Sequence, residues 1–181
     1  MPETETREQP RTGRQTKAAV EKVARSYFAA VAARDPDAIA AHWHAEGVDD
    51  MVPVRVLRGP GEVAEMFREL FTAFPDYEMT VEAITADTKS AAVQWRGRGT
   101  FSGGRFQGLE PTGRSFELRG IDRLVVEHGK LVSNVAVFDG TSMARGIGML
   151  PPRDSGAEKA MYAAFNAGTK LRAALRDARS R

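Results

Sequence analysis

The chain has no cysteine among its 181 residues. That absence excludes disulfide staples, thiolate zinc sites, iron–sulfur clusters and a cysteine nucleophile. No uninterrupted apolar run approaches the ~20 residues needed to span a bilayer. The segment Met1–Lys17 is charged and polar, unlike the apolar core of a secretory signal, so a cytoplasmic protein is expected. What remains is ordinary for a folded, soluble chain: 42% apolar and 28% charged residues. The length supports one sizeable core and falls short of two ordinary domains.

The charge balance looks basic, with 26 Lys and Arg against 24 Asp and Glu and an isoelectric point near 9.1. A basic chain invites a nucleic-acid reading, but the charge is not evenly spread. Residues 1–16 are net zero, residues 17–149 carry net −2, and residues 150–181 carry net +4. The excess therefore belongs to a C-terminal appendage, and nucleic acid is not an expected partner of the body. Lys170, Arg172, Arg176, Arg179 and Arg181 read as a solvated helix face or as a basic arm for an acidic partner.

Residues 1–16 hold almost no apolar side chains and are expected to be a disordered arm. A helix is expected from Thr16 to Arg34, with Val20, Val23, Ala24, Tyr27, Phe28 and Val31 at helical spacing. Asp35-Pro36-Asp37 supplies a cap and a first-turn proline. The helix it opens is expected to run to Ala45, burying Ile39 and Trp43, and to stop at Gly47. Met51–Leu57 reads as one short strand. Gly59-Pro60-Gly61 opens a third helix with a wide stripe of Val63, Met66, Phe67, Leu70, Phe71 and Phe74. The period then changes to two, and Tyr77–Ile84, Ser90–Phe101, Arg114–Val126 and Leu131–Phe138 read as antiparallel strands. A basic helix with a thin apolar stripe follows over about Asp154–Arg179, suited to docking on the body or on a second copy. The expected fold class is α+β, with helices segregated from a curved antiparallel sheet. The expected divisions are an arm (1–16), a single domain (17–150) and the C-terminal helix (151–181). A concave sheet around helices is a usual place for a small-molecule site.

Three stretches carry a resemblance. The first is Ala41-His42-Trp43-His44-Ala45-Glu46-Gly47-Val48-Asp49-Asp50, and the second is Phe74-Pro75-Asp76. The third starts at Gly108-Leu109-Glu110-Pro111-Thr112-Gly113. It continues through Arg119-Gly120-Ile121-Asp122 and Glu127-His128-Gly129-Lys130-Leu131 to Val137-Phe138-Asp139. Over residues 18–150 the chain resembles the SnoaL-like polyketide cyclase group of the NTF2-like superfamily. The resemblance implies a cone in which a curved sheet wraps three helices, and aldol-type ring closure or isomerisation of a polyketide-like carbonyl compound. It also implies no cofactor, a small hydrophobic ligand, a homodimer, and an acid/base aspartate at Asp139. The superfamily includes non-catalytic ligand-binding and stress or regulatory members, which stand as the alternative. The chain departs from the group at Asp50, where relatives often have histidine, and at Gly146, where they often have an amide.

Spacing gives a reading of its own. If His128 and Gly129 form a two-residue turn, Glu127 pairs with Lys130, Asp122 falls opposite Val135, and Asp139 falls opposite Leu118. Asp122 and Asp139 then share a face with Leu118, Leu124, Val126, Val135 and Val137. Two carboxylates on an apolar concavity would have raised pKa values suited to general acid/base work. The plainer reading of Asp139 is a strand-end cap beside Gly140, and that of Asp122 is a partner for Arg96, Arg98 or Arg119. Trp43 and Trp95 are core walls or pocket walls. Phe28 and Met51 face the core and could shape a cavity, His42 could sit at its edge, and Asp50 could line its mouth. His42, His44, Asp49 and Asp50 offer metal-ligand atoms, but helical residues two apart diverge, and no metal is expected.

Overall fold

The computed structural model describes residues 15–179, so all of the expected arm except Gln15 and Thr16 lies outside the described residues. Helix α1 (Lys17–Ala32) starts where the Thr16 hydroxyl accepts the Ala19 N–H at 3.2 Å. Its periodic apolar residues Val20, Ala24, Tyr27, Phe28 and Val31 are all buried. Helix α2 (Pro36–Ala41) is opened by the Asp35 carboxylate, which accepts the N–H groups of Asp37 and Ala38.

The α2 helix ends earlier than its local pattern suggests. Trp43 does not extend it but begins strand β1 (Trp43–Val52). Its backbone pairs in parallel with Leu131, and the Leu131 N–H donates to the His42 carbonyl at 2.8 Å. This contact, distant in sequence, outweighs the helical spacing of Ile39 and Trp43. Gly47 is likewise not a helix stop. A Cβ there would lie 2.8 Å from the Trp43 ring and 3.0 Å from the Leu131 carbonyl oxygen, so the strand crosses this point only with glycine.

The single strand expected over Met51–Leu57 is instead a hairpin, with β1 turning at Pro53-Val54 into β2 (Arg55–Arg58). Helix α3 (Gly59–Ala73) follows and buries Val63, Met66, Phe67, Leu70 and Phe71. Strands β3 (Glu78–Ala86), β4 (Ser90–Thr100), β5 (Ser115–Glu127) and β6 (Lys130–Phe138) come next. They are followed by a short helix α4 (Gly140–Gly146), which the sequence reading did not anticipate, and by α5 (Gly156–Arg179).

The sheet order is β2-β1-β6-β5-β4-β3. Every neighbouring pair is antiparallel except β1–β6, which is parallel. The expected run of antiparallel strands is β3–β6; the early strand β1 joins it in parallel, because β1 and β6 are separated by everything from β2 to β5 and no hairpin fixes their direction. The sheet is curved and unclosed; α1 and α3 pack against its concave face, and α2 packs on α1 and α3. The core is α1 and α3 against the inner rows of β4, β5 and β6. At one end Phe74 gathers Phe101, Phe106 and Phe116, with ring centroids 5.0–5.3 Å away.

The β5–β6 hairpin decides what faces the interior. His128 (φ 49°) and Gly129 (φ 78°) form its two-residue turn. Glu127 pairs with Lys130 as expected, and Val126 with Leu131. A bulge between Val125 and Val126 then shifts the register, so Asp122 pairs with Ala136 instead of Val135. A slip of one residue reverses the facing of everything beyond it. Asn134 and Ala136 therefore point inward and are buried, whereas Val137 is 52% exposed on the outer face.

Candidate active site

The concave face encloses a cavity of about 70 Å³ between the helices and the sheet. Its walls are almost wholly apolar: Phe28, Val31, Phe67 and Leu70 from the helices, Leu118 and Trp95 from the sheet, and four methionines, Met51, Met66, Met79 and Met143. Among the described residues that line it there is no lysine, arginine or histidine. Its polar groups are Asp49, Asp122, Asn134, the Trp95 indole N–H, and the hydroxyls of Tyr27 and Tyr77.

Four of these groups are linked: Asp49, Asn134 and Asp122 form a central unit, and Trp95 bonds to it. The Asn134 amide nitrogen donates to Asp122 Oδ2 at 2.8 Å and to Asp49 Oδ1 at 3.0 Å. Trp95 Nε1 donates to Asp122 Oδ1 at 2.7 Å. Asp49, Asp122 and Asn134 are 1%, 5% and 1% exposed. Asn134 Oδ1 has no partner among the described residues, because its NH₂ group is turned toward the two carboxyls. Strand pairing positions the unit: β1, β6 and β5 lie side by side, and each contributes one member.

The two carboxyls have different environments. Burial pushes Asp122 up to about 6, while the N–H donors of Trp95 and Asn134 hold it down. Burial pushes Asp49 up to about 7, the neighbouring Asp122 charge adds to the rise, and Asn134 alone opposes it. Both carboxyls are thus raised by burial, Asp49 further than Asp122 because it also faces the Asp122 charge and has fewer donors. One poised acid beside one poised base is an arrangement that can move a proton between two atoms of a bound molecule. Burial also holds the Tyr27 and Tyr77 phenols above their ordinary range, so both stay protonated.

The residues singled out from sequence divide cleanly. Asp122, Trp95, Phe28 and Met51 line the cavity. Arg96 and Arg98 are not partners of Asp122: they pair with Glu82, Glu117 and Glu78 on the outer face. Asp139 does not line the cavity. Its carboxylate is exposed and caps α4, accepting the Ser142 N–H at 2.9 Å and the Ser142 hydroxyl. Those bonds hold its pKa below the ordinary carboxylate range. The register shift removes the expected pairing with Leu118, since Gly120 pairs with Phe138 and the Asp139 N–H donates to the Arg119 carbonyl.

Trp43 is buried core rather than cavity wall, packed edge-on to Tyr27 with centroids 6.1 Å apart. His42 closes α2, with Nδ1 2.7 Å from the Ala38 carbonyl and Nε2 2.8 Å from Ser26 Oγ, and it does not line the cavity. Asp50 points away from it, on the opposite side of β1 from Asp49, so the His42, His44, Asp49 and Asp50 donors do not converge. Asp49 and Asn134 were not singled out for the cavity. Asp49 had a usable signal: it lies two residues before Met51 on a strand and so shares its face. Asn134 had none, because its facing depends on the bulge.

The fold has relatives among solved structures. AclR of Streptomyces galilaeus, a candidate hydroxylase, superposes with a TM-score of 0.67 at 23% identity, over 90% of this chain and 97% of that one. A candidate SnoaL-like polyketide cyclase from Jannaschia sp. CCS1 has a TM-score of 0.67 at 18% identity, covering 80% of this chain and 100% of that one. An epoxide hydrolase of the LEH-like type from M. tuberculosis has a TM-score of 0.57 at 17% identity, covering 73% and 90%. At these identities the likeness establishes the fold, an NTF2-like α+β cone, and in this chain α5 follows it. No curated protein sequence matches the chain. The family model for SnoaL-like polyketide cyclases matches residues 21–147, from the first turns of α1 to the end of α4. The chain belongs to the SnoaL-like polyketide cyclase family.

Proposed function

We propose that the protein is a cofactor-independent enzyme that moves a proton next to the carbonyl of a neutral, apolar, polyketide-like compound, with cyclase or isomerase outcome. The observation that carries this reading is the hydrogen-bonded Asp49–Asn134–Asp122 unit on the wall of a largely apolar cavity. The Asp122 carboxylate removes a proton from the carbon beside the carbonyl. The Asp49 carboxyl gives its proton to the carbonyl oxygen as the C–H electrons form the enol. That enol then attacks a second carbonyl carbon of the same molecule, closing a ring, or is reprotonated at another carbon. Either route returns the proton inventory of the pair. Among the described residues no lysine, arginine or histidine lines the cavity, which disfavours a carboxylate or phosphate substrate, whose desolvation would go unpaired. Asp139, exposed and bonded to Ser142, takes no chemical step.

One observation favours the alternative, a binding-only protein. A volume of about 70 Å³ holds a few waters and no ring compound. Entry of a ligand requires the side chains to yield. The methionines on the cavity wall are unbranched and adapt readily, which reconciles a small cavity with a larger ligand in either reading.

The test needs no knowledge of the natural substrate. The protein is incubated in D₂O with a panel of apolar cyclic ketones and β-keto esters, and deuterium uptake beside the carbonyl is followed by mass spectrometry. Uptake is expected, and Asp122→Asn is expected to reduce it by about 10²-fold or more while leaving the circular dichroism unchanged. Ketones that bind but exchange no faster than in buffer would support the binding-only alternative.

A further inference from the structure

We propose that the connection between β4 and β5 is a lid over the cavity, latched by Glu69, and that a neutral apolar ligand enters by lifting it. The proposal rests on the cavity being the ligand site, whether the protein is an enzyme or a binder. Residues 101–114 form the connection, which is long for an irregular loop in a compact domain. Between 102 and 114 only Phe106 is buried, and it lines the cavity. The other lining residues belong to helices, to strands or to the short turns at their ends.

The tip of the lid is closed on itself. Phe106 and Leu109 exchange backbone hydrogen bonds at 3.1 and 2.9 Å around Gln107 and Gly108, which turn at φ 50° and 79°. Arg105 and Glu110 pair beside them. Residues 105–110 can therefore move as one piece and carry Phe106 with them. The ends of the connection are fixed. Gly103 and Gly104 donate their N–H groups to the Ala73 and Thr72 carbonyls, and the Thr112 hydroxyl donates to the Ile147 carbonyl at 2.7 Å.

The hydrogen bonds from this tip to the rest of the described residues all run through Gln107. Its backbone N–H donates to Glu69 Oε1 at 2.8 Å, and its side-chain amide donates to Glu69 Oε2 at 3.2 Å. Arg55 donates to the same carboxylate at 3.3 Å. Arg55 and Gln107 also reach the Met66 sulfur, at 3.1 and 3.8 Å, so the latch lies directly against a residue of the cavity wall. Both partners of the Arg55–Glu69 pair are partly exposed, and water can replace such bonds at small net cost. Lifting the tip withdraws Phe106 and frees Met66, which enlarges a cavity too small for a ring compound. Helix α4 also contributes a lining residue, Met143, but it is pinned at both ends. Asp139 caps its start, and at its end a Cβ on Gly146 would lie 2.7 Å from Phe116.

The test uses prodan, a neutral fluorescent naphthyl ketone, mixed with the full-length protein in a stopped-flow instrument. Glu69→Ala is expected to speed its uptake by about tenfold or more, the equivalent of losing one hydrogen bond to a charged group. Glu65→Ala, which removes an exposed carboxylate one turn earlier on α3, is expected to leave the rate unchanged. Hydrogen exchange followed by NMR gives a second reading. In the wild type the Gln107 N–H is expected to exchange by local opening, well ahead of the bonded amides of β5. In Glu69→Ala it is expected to lose protection, while the Leu109 N–H, bonded within the tip, keeps its own. Uptake indifferent to Glu69→Ala would overturn the proposal, as would a Gln107 N–H that exchanges only on global unfolding. Uptake accelerated by Asp139→Ala and not by Glu69→Ala would overturn it in favour of α4. Deuterium uptake beside the prodan carbonyl reads proton transfer separately: faster entry with no exchange would leave the lid standing and remove the enzymatic reading.

Discussion

At the residue scale, two carboxyls in one cavity are told apart by their hydrogen bonds. Asp122 accepts from Trp95 and Asn134, whereas Asp49 accepts from Asn134 alone and faces the charge of Asp122. A kcat/KM profile is accordingly expected to rise as Asp122 ionises near pH 6 and to fall as Asp49 deprotonates near pH 7. Trp95→Phe removes a donor that stabilises the Asp122 carboxylate, so its pKa should rise and the acidic limb should move to higher pH. An acidic limb that stays in place would separate Trp95 from the ionisation of Asp122. The same shifts have a stability consequence. Asp49 keeps its proton in the folded state up to about pH 7, whereas the unfolded chain releases it near 3.8. Its contribution is thus complete below that lower value and is lost as pH rises through about 7. Asp49→Asn, neutral throughout, should flatten the dependence of Tm on pH between 4 and 8 and raise Tm by several degrees at pH 8. Thermal melts across that range are the check.

At the scale of elements, the legible and illegible parts of the molecule separate by range. The faces of α1, α3 and β5 follow from periodicity alone, because each buries its stripe against whatever lies beneath it. Asp122 was placed inward with Leu118, Leu124 and Val126, and all four are buried. The faces of β1 and β6 depend instead on two register shifts, one between Trp43 and Val48 and one between Val125 and Val126. Neither is encoded by a local residue pattern. The β5–β6 bulge turns Asn134 inward and sends Val135 and Val137 outward, so counting back from the turn reached the right residue on β5 and the wrong one on β6. The short helix α4 turns Asp139 from an expected site carboxylate into a cap. Glycine placement in β5 offers a structural test. A Cβ on Gly120 would lie 2.3–2.8 Å from the Trp95 ring, which cannot retreat without releasing Asp122. Gly120→Ala is expected to cost about 2 kcal/mol, within the overpacking range, in denaturant melts. It should also quench exchange activity, since it displaces the indole N–H.

At the scale of the whole molecule, the basic isoelectric point describes an attachment rather than a body. The body between α1 and α4 is mildly acidic, and the positive charge belongs to a helix whose apolar stripe faces outward. With no thiol in the chain, the chemistry available to the cavity rests on carboxylates, one amide and two phenols. The proposed chemistry requires Asp49 and Asp122 to hold one proton between them near neutral pH. Carbon-13 NMR titration of protein labelled at the aspartate carboxyls, with Asp49→Asn and Asp122→Asn to assign the signals, measures this directly. Two carboxyls titrating near 6 and 7, the higher of them falling when Asp122 is neutralised, is the predicted result. Two carboxyls titrating independently near the ordinary value of ~4 would contradict it.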